Sequence, residues 1–443
     1  MDSNLSPVPP ASPWSRREFV GTAGLAAAAI AAPSDPAAAQ PLPLQPPPGT
    51  PDTVARDEAF WRRVASQYRI SPAITNLENG YWGVMAEPVL DAYKANIDRV
   101  NTDGVYYIRN AYVKDLEAAR ARVAAALGAD VSEVAFTRGA TEAMQVLIGG
   151  YNRLKAGDVV IYADLDYPGM QYAMNWLATR RGVRVARFVI PEPPTRQGVL
   201  DAYAAALDAN RDARMMLVTH CSHKTGLIFP VAEIVALARA RDVDVLVDAA
   251  HSWGQIELSV GALGADFVGF TLQKWIAGPV GLGAVYIRKD RLAAIDRMMA
   301  DEDQPADSVL SRVHTGTVNF AAALTAPAAL DFHDSIGPAN KAARLRYLRD
   351  RWVNAVRNVR GVQVLTPDDP ALAGAITSFR LNGGTSSDDN QRLIETLRDR
   401  YGLFTARRTG ITGGDCVRVT PTIYNSLADV DRLAAAIKEL VRP

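Results

Sequence analysis

Residues 247–275 read VDAAHSWGQIELSVGALGADFVGFTLQKW. Two continuous apolar runs end within this stretch, one just before Asp248 and another shortly before Lys274. Runs without polar alternation are typical of strands that are covered on both faces of a sheet. Because the carboxyl ends of neighbouring parallel strands meet at one edge of a sheet, we expect Asp248 and Lys274 to point into one crevice.

Short apolar runs of this kind alternate with helical stretches over most of the chain. Strands are predicted at Glu133–Thr137, Asp158–Ala163, Val183–Ile190, Arg214–Thr219, Asp242–Val247, Ala265–Thr271 and Leu282–Ile287. Helices are predicted at Thr141–Leu154, Gly169–Arg181, Leu200–Asn210 and Val231–Arg241. Strands that alternate with helices form mostly parallel sheets. The sequence therefore predicts an α/β fold with a mostly parallel seven-stranded sheet covered by helices.

The C-terminal part of the chain has a different pattern. A long helical stretch precedes two β-like runs, a helix, a third β-like run and a final amphipathic helix; these are Ala321–Asn358, VQVL, ITSFRL, Asn390–Tyr401, Cys416–Val419 and Leu427–Val441. This order favours a smaller α+β domain over residues 320–443. The large domain then covers residues 56–319 and includes a helix at Glu87–Val100.

The first 55 residues differ in composition from the rest. Residues 15–20 read SRREFV, a short apolar run follows at 21–32, and residues 37–39 offer an A-x-A cleavage site. The apolar run is too short to span a bilayer, and the paired arginines resemble a twin-arginine signal. We therefore expect a signal peptide at 1–39, a proline-rich linker at 40–55, and a periplasmic or secreted mature protein without a membrane span. A disordered Ala/Pro tail with a chance Arg-Arg pair is the alternative.

Composition disfavours several classes of protein. The chain has 443 residues with 48 basic and 48 acidic side chains, so it lacks the net positive charge that favours nucleic-acid binding. Its two cysteines, Cys221 and Cys416, form no CxxC pair, and no HExxH or GxxxxGK[ST] motif is present. Two histidines and a cysteine lie within residues 220–223, but no second cluster follows at metal-ligand spacing. Hydrogen bonding to a ligand is therefore favoured there over a metal site.

Polar groups also follow other predicted strands. Arg138–Glu142 opens a helix, where backbone N–H groups and the Thr141 hydroxyl favour an anion; a helix cap by Thr141 is the alternative. Tyr167 follows the next strand and either stacks on a planar ligand or packs under its loop. A desolvated amine has a lowered pKa, so Lys274 can react with a carbonyl as a neutral amine. An anion site, a stacking ring, an acid and an amine together match one cofactor, pyridoxal phosphate.

From about Asn76 to the C-terminus, the chain resembles the class-V aminotransferase family of fold-type-I pyridoxal-phosphate enzymes. The resemblance rests on residues 247–275 together with HTGTVNF at 314–320. Within the family, NLENGYWGV (76–84), VYYIRN (105–110) and QKWIAGPVGLGAVYIRK (273–289) resemble the isopenicillin-N-epimerase-like branch. This resemblance implies a pyridoxal-phosphate-dependent enzyme that acts at the Cα of a small amino-acid substrate.

The resemblance also implies a role for each matching residue. Lys274 would carry the internal aldimine and move the Cα proton, Asp248 would pair with the pyridine nitrogen, and Tyr167 would lie over the ring. His223 and His251 would contact the phenolic oxygen of the cofactor, and Ala140, Thr141, Thr271 and Gln273 its phosphate. Gln273 departs from the histidine that usually precedes the lysine, although an amide still donates a hydrogen bond. Thr317 resembles a residue that reaches the phosphate in a neighbouring subunit, which implies a homodimer.

For the substrate, Arg418 matches the arginine that clamps the α-carboxylate, with a surface arginine as the alternative, and Arg408 is a candidate for a second contact. Cysteine desulfurases carry a nucleophilic cysteine shortly after an R-T-G such as residues 408–410, but this chain reads ITGG at 411–414. The expected activity is therefore epimerisation or transamination. A C–S or β-lyase reaction and a non-catalytic, exported cofactor-binding protein are the alternatives.

Overall fold

The computed structural model describes residues 44–441. The predicted signal peptide at 1–39 lies outside the described residues. The predicted linker at 40–55 is described from residue 44, and its last five residues form a helix, Pro51–Ala55. Val54 and Ala55 in that helix are buried, and the Trp61 indole donates a hydrogen bond to the Val54 carbonyl oxygen at 2.7 Å. The folded chain therefore begins before residue 56, because these apolar side chains pack into the core.

Fourteen α-helices and thirteen strands make up the described chain. The helices are α1 (Pro51–Ala55), α2 (Glu58–Ala65), α3 (Glu87–Asn110), α4 (Tyr112–Leu127), α5 (Ala140–Gly150), α6 (Pro168–Arg181), α7 (Arg196–Ala209), α8 (Val231–Arg239), α9 (Val260–Leu263), α10 (Phe320–Leu324), α11 (Ala326–Ile336), α12 (Pro338–Val356), α13 (Ser387–Tyr401) and α14 (Leu427–Leu440). The strands are β1 (Thr75–Asn76), β2 (Val134–Thr137), β3 (Val159–Ala163), β4 (Arg184–Phe188), β5 (Ala213–Thr219), β6 (Asp244–Asp248), β7 (Phe267–Thr271), β8 (Gly283–Ile287), β9 (Val362–Val364), β10 (Thr377–Leu381), β11 (Leu403–Phe404), β12 (Ala406–Arg408) and β13 (Cys416–Val419).

The central sheet has seven strands in the order β2-β8-β7-β6-β5-β3-β4. Strand β8 is antiparallel to both of its neighbours, and the other pairs are parallel. All seven predicted strands are thereby confirmed, with boundaries that differ by one or two residues. Every residue of β3, β7 and β8 is buried. Phe267 and Val268, which are adjacent in β7, pack into two different apolar cores, so both faces of the sheet are covered.

A second, four-stranded antiparallel sheet follows in the order β12-β13-β10-β9. Its apolar core includes Trp352, Phe379 and Leu433, from α12, β10 and α14. These elements form the smaller α+β part that the sequence predicts. The predicted boundary between residues 319 and 320 falls at the start of α10 and stays a prediction.

Two helix predictions differ from the structure. The stretch Ala321–Asn358 is three helices, α10 to α12, that are separated at Thr325 and Gly337. Both α11 and α12 have a proline in their first turn. Because proline has no N–H group, it cannot donate a hydrogen bond to a preceding helical turn, and a new helix begins there. Helix α3 extends to Asn110 rather than residue 100, across a kink at Gly104, whose φ of 52° is accessible to glycine. Within residues 44–441, no helix is both long and apolar enough to cross a membrane.

Candidate active site

A cavity of about 810 Å³ opens where the carboxyl ends of the parallel strands meet the second sheet. The sequence-predicted residues that line it are Ala140, Thr141, Tyr167, His223, Asp248, His251, Thr271, Gln273, Lys274, Arg408 and Arg418. Thr317 is exposed and does not line this cavity, and its predicted role in a neighbouring subunit stays a prediction. The expected convergence of groups at one edge of the sheet is therefore present, and we call this cavity the reaction cleft.

The acid and the amine of the cleft come from adjacent strands. Asp248 ends β6 beside Gly269 of β7, and Lys274 follows β7 by three residues. The Lys274 Nζ lies 2.9 Å from His251 Nε2, and burial lowers the pKa of Lys274 to about 8, an effect that Asp248 opposes. Burial raises the pKa of Asp248, whereas a hydrogen bond from the Ala250 N–H at 3.0 Å and the charge of Lys274 oppose that rise. About a tenth of Lys274 is thus a neutral amine at pH 7.

A second buried carboxylate, Asp166, connects the ends of two strands near the cleft. It accepts hydrogen bonds from the backbone N–H groups of Ala163 and Thr219, each at 2.7 Å, and so joins the ends of β3 and β5. Burial raises its pKa to about 7, and the nearby charge of Asp248 adds to that rise. Asp166 immediately precedes Tyr167 and fixes the turn that presents this ring to the cleft. Its position after an apolar strand was the available sequence signal.

The histidines of the cleft are held neutral. Burial lowers the pKa of His223 and of His251 well below the ordinary value, and Arg418 adds to the effect on both rings. The two rings lie nearly parallel with centroids 6.4 Å apart, and Tyr167 meets His223 edge-on at 5.1 Å. His223 Nδ1 and His251 Nδ1 are buried without a hydrogen-bond partner among the described residues. Buried polar atoms usually have partners, so these two atoms indicate a polar ligand.

The N-terminus of α5 provides the anion-binding part of the cleft. Gly139 occupies the N-cap position and no side chain caps the helix, so the alternative in which Thr141 acts as a simple cap is wrong. Backbone N–H groups of a first helical turn favour an anion such as a phosphate. Gln273 Oε1 accepts a hydrogen bond from the Gly281 N–H at 2.7 Å, which orients the amide. The Thr271 hydroxyl lies 3.3 Å from the Leu282 carbonyl oxygen.

The sequence reasoning missed Glu78, which binds both candidate substrate arginines. Its carboxylate accepts hydrogen bonds from Arg418 Nη2 and, at 3.3 Å, from Arg418 Nε, and it lies 2.7 Å from Arg408 Nη2. Arg418 Nη1 also donates to the His223 carbonyl oxygen at 2.8 Å. Arg418 is buried, which lowers its pKa to about 10 and rules out the alternative of a surface arginine. Two of its five N–H donors have no partner among the described residues, so it can still bind a carboxylate.

The segment that carries Glu78 forms one wall of the cleft. A Cβ atom at Gly80 would lie 2.7 Å from Arg418 Nη2, and one at Gly83 would lie 2.1 Å from the Lys274 carbonyl oxygen. Gly83 therefore requires glycine for close approach to backbone, whereas a side chain at position 80 would displace the Arg418 guanidinium. The Gly83 N–H donates to the Gln273 carbonyl oxygen at 2.7 Å, which holds the backbone before Lys274. The NGYWG sequence thus packs directly against the amine and the arginine.

Neither cysteine of the chain is placed or ionised for nucleophilic chemistry. Cys221 and Cys416 are free and fully buried. Burial raises the pKa of Cys221 to about 12 and that of Cys416 to about 11.

The segment after Arg408 is held against residues that follow strands of the central sheet. Lys224 Nζ donates a hydrogen bond to the Gly410 carbonyl oxygen at 3.0 Å, and the Thr412 hydroxyl donates one to Asp164 Oδ2 at 2.8 Å.

The donor set fits pyridoxal phosphate. The first turn of α5 suits its phosphate, Asp248 its pyridine nitrogen, the unpartnered His251 and His223 atoms its polar ring substituents, and Lys274 its aldehyde. With the central sheet, this site defines a fold-type-I pyridoxal-phosphate-dependent enzyme. A family model described as aminotransferase class-V matches residues 85–433. The chain belongs to that family.

Characterised relatives differ in their reactions. Isopenicillin N epimerase from Amycolatopsis lactamdurans is 28% identical over 403 residues, which cover 86% of this chain and 98% of the relative. Among solved structures, an apo cysteine desulfurase from Thermococcus onnurineus NA1 has a TM-score of 0.73 at 21% identity and covers 86% of this chain and 97% of its own. The cystine C–S lyase C-DES, in complex with cysteine persulfide, has a TM-score of 0.70 at 22% identity, with 83% and 97% covered. At these identities the two structures establish the shared fold.

Proposed function

We propose that this enzyme removes the Cα proton of an amino acid, with epimerisation or transamination as the outcome. The observation that carries the proposal is the meeting of Lys274, Asp248 and Arg418 in one cleft. Pyridoxal phosphate, when bound, supplies an electron sink for the charge that develops at Cα. The similarity to isopenicillin N epimerase supports epimerisation.

Each charged residue of the cleft has a separate role in this reaction. Arg418 holds the α-carboxylate through its remaining N–H donors, and Arg408 adds positive charge beside it. Lys274 accepts the Cα proton as a neutral amine, which its pKa of about 8 makes available. Asp248 would hold the pyridine nitrogen of the cofactor and favour its protonated form. Epimerisation also needs an acid on the opposite face, for which Tyr167, Tyr81 and His223, which line the cleft, are the candidates.

A lyase reaction at the β-carbon is the second candidate. Persulfide formation on an enzyme thiol needs a thiolate, and burial of Cys221 and Cys416 disfavours that form. A lyase needs no enzyme thiol, so the burial of both cysteines favours it over desulfuration. A non-catalytic binding protein is disfavoured, because a partly buried amine and a buried acid are costly to keep without a use.

One experiment separates these reactions. The cofactor-loaded enzyme is incubated in D₂O with single amino acids, and Cα–H exchange, chirality, keto acid, ammonia and sulfide are measured in the same samples. Exchange with racemisation supports epimerisation, exchange with keto acid supports transamination, and release of ammonia with a β-substituent supports the lyase. A Lys274→Ala variant that keeps full exchange would overturn all three.

We also propose that the enzyme is an exported homodimer. The Arg16-Arg17 pair supports twin-arginine export, which moves folded proteins and so suits a protein loaded with its cofactor beforehand. Thr317, exposed on one chain, supports a contribution to a neighbouring subunit. Arg16→Lys with Arg17→Lys should retain the protein in the cytoplasm. Sedimentation should give twice the chain mass of 47.7 kDa less the signal; a monomer with a complete cofactor complement would contradict the dimer.

A further inference from the structure

A second cavity of about 600 Å³ lies beside the reaction cleft. We call it the annex. Its lining residues are Arg69, Ile70, Ser71, Ile74, Asn76, Glu78, Tyr81, Trp82, Val84, Phe404, Arg408 and Tyr424. Three of these, Tyr81, Trp82 and Arg408, also line the reaction cleft. The annex therefore adjoins the cleft, and Tyr81, Trp82 and Arg408 lie between the two cavities.

The annex offers a largely apolar surface. Ile70, Ile74, Val84, Trp82 and Phe404 supply its hydrocarbon lining. The two aromatic side chains are unusually exposed for their size, Trp82 at 48% and Phe404 at 42%. Large exposed apolar groups gathered in a concave site are typical of ligand-binding surfaces.

Both cations that line the annex already have acidic partners. Arg69 lies 2.7 Å from Glu87, and Arg408 lies 2.7 Å from Glu78. A charged ligand group would have to displace one of these carboxylates, whereas an uncharged apolar group would displace only water. The chemistry of the annex thus selects a neutral, largely apolar occupant.

We propose that the annex binds the distal part of the substrate side chain, so that the substrate is an amino acid with a long, uncharged, apolar or aromatic extension. The inference rests on the proposed reaction at Cα. With the α-carboxylate at Arg418, a side chain that passes Tyr81 and Trp82 enters the annex. Small amino acids fill the reaction cleft alone and leave the annex to water.

The test compares alanine with Nε-benzoyl-lysine, a neutral aromatic probe. Their kcat/KM values for Cα–H exchange and their binding constants, from the cofactor absorbance, are measured in the holoenzyme. The wild type should favour Nε-benzoyl-lysine by at least about tenfold, a typical gain from filling an apolar pocket. Ile74→Trp, which fills the annex, should remove that preference and leave alanine unchanged. Phe404→Ser, at a partly exposed position, should reduce the preference with little risk to folding.

One control variant is included, and three outcomes would overturn either the annex inference or the proposed function. Val113→Trp, on the exposed side of α4 at 67% exposure, should change neither substrate. If alanine exchanges but neither annex variant alters the ratio, the annex inference is overturned and the proposed function stands. If Ile74→Trp instead alters only the oligomeric state, a second copy covers the annex and the inference also falls. If no amino acid exchanges in the wild type, the proposed function itself fails.

Discussion

Glu78→Gln tests the buried charge cluster behind the substrate site. The substitution keeps the shape and one acceptor oxygen but removes the only negative charge that Arg418 contacts directly within residues 44–441. The Arg418 side chain is 1% exposed and that of Glu78 is 8% exposed, so water cannot replace the lost partner. Removing one member of a buried ion pair costs about 3–5 kcal/mol. Because the hydrogen bond to the His223 carbonyl oxygen remains, we expect a loss near the lower end, about 3 kcal/mol.

Urea unfolding of the apo protein measures this loss. Glu439→Gln is the matched control, since Glu439 pairs with Arg400 on the surface, where the side chains are 49% and 61% exposed. An exposed pair of that kind contributes on the order of 0–1 kcal/mol. A carboxylate such as acetate should stabilise Glu78→Gln more than the wild type, because it restores a negative charge beside Arg418. Equal losses in the two variants, or no extra response to acetate, would refute the reasoning.

Three further predictions concern the chemistry of the cleft. Asp248→Asn should keep the cofactor but slow Cα–H exchange by about 10²–10³-fold, measured by NMR, because the protonated pyridine loses its partner; an unchanged rate contradicts that role. Cys221→Ser with Cys416→Ser should keep exchange within about twofold, since neither thiol is ionised; loss of turnover with the fold intact would restore a thiol mechanism. Cofactor loading of the apo protein should quicken as pH rises through about 8, because Lys274 then loses its proton. About a tenth of this amine is neutral at pH 7, so loading should be about tenfold slower there than at pH 9; a midpoint above pH 10 would show an unperturbed lysine.

Much of the fold could be predicted because its strands are buried on both faces. Continuous apolar runs such as those of β3 and β8 give a clear signal, and their boundaries were accurate to one or two residues. The short strands β1 and β11, of two residues each, were missed because no periodic pattern fits in that length. Their pairing also joins residues more than three hundred positions apart, which local patterns do not encode.

The residues of the candidate site also divide into those that could be predicted from the sequence and those that could not. Lys274 and Asp248 could be predicted because each lies at or near the carboxyl end of an apolar strand of one sheet. Glu78 could not be predicted, because its role depends on Arg418, which is 340 residues away in the sequence. Asp166 lies in a strand-end motif that is visible in the sequence. Its role could be assigned only from the structure, which places Thr219 of another strand within hydrogen-bond distance. Spatial partners, rather than residue types, were the missing information.

The central claim is that Lys274 and Asp248 act on one bound pyridoxal phosphate. The most direct measurement is reduction of the cofactor-loaded enzyme with borohydride, followed by mass analysis of its peptides, in the wild type and in Lys274→Ala. We expect a single added cofactor mass on the peptide that contains Lys274 and none in the variant. A cofactor fixed on another lysine, such as the buried Lys224 or Lys341, would contradict it.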